Sequence, residues 1–481
     1  MHQSLRNPIL GGFNPDPSAC VVGEDVYLAT SSFAWFPGVP IHHSRDLVHW
    51  RHLGNALDRP SQLPLERAGL NGGIWAPTLR HHAGRFYLIT TNREHGGNVI
   101  VHAERPEGPW SEPVWLDLPG WDPSLDWDAD GTCWFTGTRD GGMIYGCTLD
   151  PLSGRPTSPV RDLWDGSGIF GVEAPHLLHH DGWYLLIVAG GFYQRGHLVA
   201  AARSRSPWGP YEPCPHNPIL TQRDRLGHPI QSTGHGDLFR TADGRWWLCF
   251  LGVRNYGGLG GSWHTLGRES FLAPVAWRDG WPVIEAPQLE LPAPGPLRPW
   301  PSAPIRDDFT GPTLAPAWIS LRNSASQSLS ERPGWLSVRG PGVVARRVEQ
   351  PWMRAACLVE GRGSVTLFTS EGARVDLELH AERVAVRRTF EDWTQEVAST
   401  VSAGPVEVEI LGNPWAFLLR VRSAGREILA HKVQSRLLST DLSGGCVGLV
   451  VGLSAAAGEV IAADWFELHG WRSQQESGLD F

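Results

Sequence analysis

His179–Val188 reads HHDGWYLLIV: a polar turn closing on glycine, then an aromatic-rich apolar run. The same pattern recurs as VGEDVYLAT from Val22, HHAGRFYLIT from His81, DADGTCWFTG from Asp128 and TADGRWWLCF from Thr241. A turn of this kind reverses the chain, and the run after it suits a half-buried strand, so each copy is a β-hairpin signal. The copies are spaced roughly 50 to 60 residues apart, the range of propeller blades. A second strand-like element ending around Trp or Pro follows most copies, as in HHSRDLVHW after Ile41, HAERPEGPWSEP after Val101 and ARSRSPWGPYEP from Ala202. Two hairpins per period supply the four strands of a blade. Five copies predict an all-β, five-bladed β-propeller; a plain β-sandwich with repetitive turns is the alternative.

Composition agrees. The 481 residues include Gly 56 and Pro 39, helical runs are hard to find, and the length suits two domains. A net charge of −9 without Lys or Arg runs gives no support for a nucleic-acid or anionic-membrane partner. No stretch has the length of a signal peptide's apolar region or a membrane span. The seven cysteines are scattered, without CxxC spacing, mostly within apolar strand-like runs. Buried thiols in a reducing compartment are therefore expected, and with them a cytoplasmic location.

From Ala286 to Ile305 the chain reads APQLELPAPGPLRPWPSAPI. Proline at this density favours an extended, semi-rigid connector. It divides a propeller over 1–290 from a different pattern over 306–481, with a linker at 291–305. Beyond it Val375, Leu377 and Leu379 alternate with Asp376 and Glu378, and Val406, Val408 and Ile410 alternate with Glu407 and Glu409. Strands that bury one face and wet the other build antiparallel sheets, so a C-terminal β-sandwich is expected.

GxSxG, Walker, dinucleotide and HExxH signatures are absent from the sequence. The pairs His42–His43, His81–His82 and His179–His180 invite a metal reading, but two of them occupy equivalent repeat positions and read as solvent-facing turn residues. Carboxylates remain. Asp16 in GFNPDPS, Asp122 in PGWDPSL and Glu173 in GVEAPHL stand outside the repeat signature, near the starts of blades. An Asp beside Pro is also an ordinary turn residue. Glycoside cleavage needs two carboxyls, one to protonate the leaving group and one to activate water or attack. Strands converging on a propeller axis can bring such groups together.

GFNPDPS, SSFAWFPGVPIHHSRDLVHW, GGIWAPTLR, WDPSL, EAPHL and LGRESFLAPVAWRDGWPV, in this order, resemble glycoside hydrolase family 43, especially its two-domain β-xylosidases. The resemblance implies that Asp16 is the general base, Glu173 the general acid, and Asp122 a third carboxylate that orients the acid and keeps its pKa high. It implies inversion, with base and acid roughly 6.5 to 9.5 Å apart. Phe33 and Trp75 match aromatics lining the terminal sugar pocket, with blade packing as their alternative role. Arg254 matches an arginine near the substrate, with a surface salt bridge as its alternative. His235 matches an axial histidine that binds calcium or ordered water in relatives; a lone His with waters would be a loose site for an ion that prefers oxygen. No cofactor is required, and calcium on the axis is left open. The pattern breaks at AGGFYQRGHLV, where Ala189 replaces a family Glu and one residue is inserted before His197.

The expected activity is exo-release of xylose from β-1,4-xylo-oligosaccharides. The alternatives are an α-L-arabinofuranosidase or an enzyme serving both sugars, a retaining fructosidase-like enzyme, and a non-catalytic carbohydrate-binding protein. Homo-oligomers are common among such enzymes.

Overall fold

The computed structural model describes residues 4–192, 196–257 and 263–481. Two compact units emerge: one comprises residues 1–10, 14–255 and 269–300, the other residues 11–13, 256–268 and 301–481. The N-terminal unit is a five-bladed β-propeller. Its innermost strands are β1 (Ser18–Val22), β2 (Ile74–His82), β3 (Trp121–Trp127), β4 (Glu173–His180) and β5 (Ile230–Arg240), each first in an antiparallel blade. β1 and β5 meet, as do β1 and β2, β2 and β3, β3 and β4, and β4 and β5, so the ring is closed.

Each repeat signature forms the turn from an innermost strand to the next strand outward, for example His180↔Trp183 and Arg240↔Trp246. The aromatic runs after these turns fill the spaces between blades. Tyr87, Ile89, Phe135 and Tyr145 form one such cluster, Trp134, Ile144, Leu186 and Val188 the next. The histidine pairs lie at strand ends and do not simply face solvent. His43 is buried and bonded to Asp25 (2.7 Å), His82 stacks on Trp127, and His180 packs against Trp246 and Trp277. A flat ring at a blade edge gains more from covering a neighbouring indole than from water.

The N-terminal segment fastens the ring. Asn7, buried, donates to the Leu272 and Gln288 carbonyls and accepts from the Leu272 N–H at 2.9 Å, imitating a strand rung; Ser4–Arg6 pairs with Glu290–Pro292 inside the proline-rich stretch.

The axis is polar. Arg80 on β2 makes a two-pronged contact with Asp237 on β5 (2.8 and 3.0 Å), Ser18 on β1 donates to the same carboxylate (2.8 Å), and His176 on β4 lies 3.2 Å from the Arg80 guanidinium. Burial opposes ionisation of Asp237, but Arg80 and His176 outweigh it and hold its pKa below the usual carboxylate range. Burial pushes His176 down to about 4 and, against the pull of Arg80, pushes Asp126 on β3 up to about 7.

The second unit is a β-sandwich of two antiparallel sheets. One contains Trp352–Gly361, Val406–Gly412, Ala416–Ser423 and Val460–Trp471; the other contains Gly342–Arg347, Gly363–Ser370, Ala373–Leu379 and Val450–Ala455. Val375, Leu377, Leu379, Val406, Val408 and Ile410 enter one core with Trp318, Leu367 and Phe466. The opposite faces are less wet than alternation suggests: Asp376 is buried under Arg374, and Arg354 spans Glu409 and Glu467 at 2.8 Å each. The interleaved segments belong here by close packing. Gly11 and Gly12 press on the backbone at Val348–Glu349, and Leu449 N–H bonds the Thr265 carbonyl. Among the described residues no helix is long and apolar enough to cross a membrane.

Two outcomes follow from the axis. Arg80→Met strands the Asp237 charge and should cost about 3–5 kcal/mol in denaturant unfolding. Asp126, neutral when folded below about pH 7, loses that stabilising difference as pH rises through its folded pKa. The melting temperature of Asp126→Asn relative to the parent should therefore climb between about pH 4 and 7; a constant gap would refute a neutral Asp126.

Candidate active site

Four of the five innermost strands, β2 to β5, enter the ring through the same irregularity. Pairing with the next strand shifts between Trp75 and Thr78, Trp121 and Ser124, and Glu173 and His176, and twice in β5 before Asp237. Left-handed residues stand in or just before each: Asp16 (φ 56) ahead of β1, Ala76 (φ 23), Asp122 (φ 52), Ala174 (φ 55), and in β5 both Ser232 (φ 53) and His235 (φ 48), of which His235 occupies the equivalent position. Pro17, Pro77, Pro123, Pro175 or Gly236 comes next, then an axis-lining polar residue: Ser18, Thr78, Ser124, His176 or Asp237. The proline carbonyls serve as acceptors between blades, from Thr78 to Pro123 (2.9 Å) and from Thr136 to Pro175 (3.2 Å).

The five equivalent positions therefore ring one mouth of the propeller, and their side chains differ: carboxylates in blades 1 and 3, alanines in blades 2 and 4, an imidazole in blade 5. Glu173 stands one residue before its left-handed Ala174. The structure thus brings Asp16, Asp122, Glu173 and His235 to the same end of the ring. Asp16 and Asp122 are buried and Glu173 is half-buried. Ser31 donates to Asp16 Oδ2 at 2.5 Å, and His235 Nδ1 lies 3.6 Å from Asp16 Oδ1.

Phe33 and Trp75 are joined through the backbone. Phe33 N–H bonds the Ile74 carbonyl (2.9 Å) and Ile74 N–H returns the bond (3.1 Å), which sets Phe33 beside the start of β2. Phe33 is buried at φ 48; Trp75 is half-buried, its indole N–H on the Asn71 carbonyl (2.8 Å), its backbone carbonyl taken by Thr90. Arg254, at the end of Trp246–Arg254, makes a two-pronged pair with Glu269 (2.8 and 2.6 Å). With side chains 10% and 0% exposed, this is a buried ion pair rather than a surface one.

His235 does not sit in a built calcium site. Among the described residues no group of three or more His, Cys, Asp or Glu gathers around a common point. One imidazole beside one carboxylate does not match a cation that takes 6–8 oxygens. Ala189 lies directly across the sheet from Glu173, and beyond it Tyr193–Arg195, in the loop where one residue is inserted before His197, fall outside the described residues. His197 is buried with its ring flat against Gly234, whose missing Cβ would stand 2.4 Å from that ring.

Reading the sequence missed Ser31, Glu269 and the Arg80–Asp237 pair. Arg80 and Asp237 were marked by a single formal charge inside inner strands, in APTLRHH and HGDLF.

Comparison with known proteins settles the family. The sequence model of Glycosyl hydrolases family 43 matches residues 5–282, and that of the β-xylosidase C-terminal concanavalin A-like domain matches residues 306–469. The chain belongs to glycosyl hydrolase family 43. It is therefore a glycoside hydrolase of the two-domain type. A non-reducing-end α-L-arabinofuranosidase of Bacteroides ovatus is 35% identical over 97% of this chain and 94% of its own. A xylosidase/arabinosidase of Butyrivibrio fibrisolvens is 34% identical over 94% and 96%. The crystal structure of a xylan β-1,4-xylosidase from Bacillus halodurans superposes with a TM-score of 0.91 at 32% identity, covering 96% of this chain and 99% of the other.

The close fit at Gly234 generates a stability test in this family 43 chain. Gly234→Ala drives a methyl group into the His197 ring and should cost about 1–3 kcal/mol, measured by denaturant melting; an unchanged midpoint would show that the ring can move aside.

Proposed function

We propose that the protein is an inverting exo-glycosidase that releases xylose from the non-reducing ends of β-1,4-xylo-oligosaccharides. The observation that supports this reading is the equivalent placement of Asp16, Asp122 and Glu173, each two or three residues before an axis-lining side chain of inner strands β1, β3 and β4 in a closed ring. Asp16, held by Ser31, serves as general base: it takes a proton from water as the water oxygen attacks the anomeric carbon. Glu173 gives its proton to the glycosidic oxygen as the carbon–oxygen bond breaks, and attack from the opposite face inverts the configuration. Asp122 orients Glu173. Phe33 and Trp75 form a wall for the terminal sugar, and Arg254, fixed by Glu269, is directed toward substrate hydroxyls. Water and the protein's carboxyls supply every proton in this scheme.

A second reading, α-L-arabinofuranoside cleavage in the same pocket, is favoured by the names of the Bacteroides and Butyrivibrio relatives and by the small Ala189 opposite Glu173. Six of the seven cysteines are buried within the fold, which supports a reducing, cytoplasmic setting.

Asp16→Asn and Glu173→Gln should each lower kcat about 10²–10⁴-fold. An activated aryl leaving group should restore part of the loss in Glu173→Gln and none in Asp16→Asn, because only the former lacks leaving-group protonation. Proton NMR of the first-formed sugar should show the inverted anomer; retention would overturn the mechanism. Assays of nitrophenyl β-D-xyloside and α-L-arabinofuranoside side by side decide the sugar, and no turnover of the xyloside would remove the leading reading.

A further inference from the structure

Blade 4 carries an exposed aromatic pair that the scheme above does not use. Phe170 and Phe192 are 71% and 49% exposed, yet their rings meet edge to face, with centroids 4.9 Å apart and planes at 88°. Burying apolar surface is favourable, so two phenyl rings kept together in water call for a reason.

The loop backbone is built around them. Gly191 N–H bonds the Phe170 carbonyl at 2.7 Å, tying the segment before β4 to the segment after the neighbouring strand Trp183–Gly190. Gly171 is left-handed (φ 62), and a Cβ there would stand 3.3 Å from the Phe192 ring; a Cβ on Gly190 would strike Ile169 at 2.5 Å. These glycines allow the two segments to close on each other.

The pair's place is set by the register. Glu173 is paired with Ala189, and Phe170 and Phe192 each lie three residues beyond that rung. Three residues reach at most about 10 Å, so the rings border Glu173 on the outer side of the mouth. The other large exposed apolar side chains of this unit, including Leu152, Val160 and Leu226, lie elsewhere along the sequence. Two rings fall far short of the roughly 800 Å² per partner of a stable protein interface. They do match the apolar face of a single sugar ring, which stacks on aromatics as other flat apolar surfaces do.

We propose that Phe170 and Phe192 form the leaving-group subsite, stacking on the sugar that departs with the oxygen protonated by Glu173. The proposal rests on the glycosidase reading and adds a residue-level account of what lies beyond the cleaved bond.

The test compares a leaving group that can reach the rings with one that cannot. Xylobiose is set against β-D-xylopyranosyl fluoride, and α-1,5-arabinobiose against α-L-arabinofuranosyl fluoride, with the parent and Phe170→Ala/Phe192→Ala. KM for the disaccharide of the accepted sugar should rise about 10-fold, while kcat/KM for the matching fluoride stays within about twofold. Phe170→Tyr/Phe192→Tyr keeps the rings and should keep the parental KM. Equal losses on disaccharide and fluoride would overturn the subsite, since the rings would then only be shaping the Glu173 loop. Unchanged kinetics on both would overturn it too, and so would intact kinetics with altered self-association on gel filtration. Failure of the underlying reading looks different: a parent that cleaves none of the four compounds, or a Glu173→Gln variant as active as the parent.

Discussion

A charge buried at the centre of a ring must find its partner across the ring, and the Arg80–Asp237 pair imposes that condition on the propeller. The two residues come from blades 2 and 5, with Ser18 of blade 1 and His176 of blade 4 completing the contacts. Leaving either ion unpaired is far costlier than leaving a gap between apolar blades. The closed ring therefore has a narrow energetic definition, and a blade out of register would expose the cost at once. The carboxylates at the mouth inherit their mutual placement from this closure, because each stands only two or three residues before an axis-lining side chain.

The left-handed residues show how the fold and the chemistry divide the work. Such a conformation costs an L-residue about 1–2 kcal/mol, and it occurs two residues before an axis-lining side chain in all five blades. It belongs to the way strands enter the ring. Strain as such does not single out the catalytic blades, since Ala76 and Ala174 bear it too. The blades are distinguished by what the strained position carries, or, in blade 4, by the residue just before it. A carboxyl placed there is held on a turn that the fold already keeps rigid, so little orientation remains to be arranged when substrate arrives.

Much of this was legible in the sequence. The five hairpin signatures gave the blades, because a turn with glycine before an aromatic run has few other uses. The alternation around Val375 and Val406 gave the sandwich. Asp16, Asp122 and Glu173 could be located as unusual acids, but their roles came from the resemblance to family 43 and not from spacing. What could not be read were the long-range partners. Glu269 lies 15 residues from Arg254 and Asp237 lies 157 from Arg80, and only the folded ring brings such residues within bonding distance. The histidine pairs were read only in part for a related reason: His179 is exposed, but His82 and His180 look solvent-facing until the neighbouring blade supplies the tryptophan that covers them. The buried Asp376 shows the same limit in the sandwich, where strict alternation hides an arginine lid.

The interleaving of the two units has a consequence for how the chain is made. Gly11–Phe13 leave the ribosome well before the Val348–Glu349 backbone on which they pack, roughly tens of seconds earlier at about 5–20 residues per second. The adjoining residues through Leu10 belong to the propeller, so one short segment serves two units completed at very different times during synthesis. The sandwich is thus no detachable appendage in the biosynthetic sense: a chain terminated near residue 300 would leave Gly11–Phe13 and Thr265 without the partners they were shaped to meet.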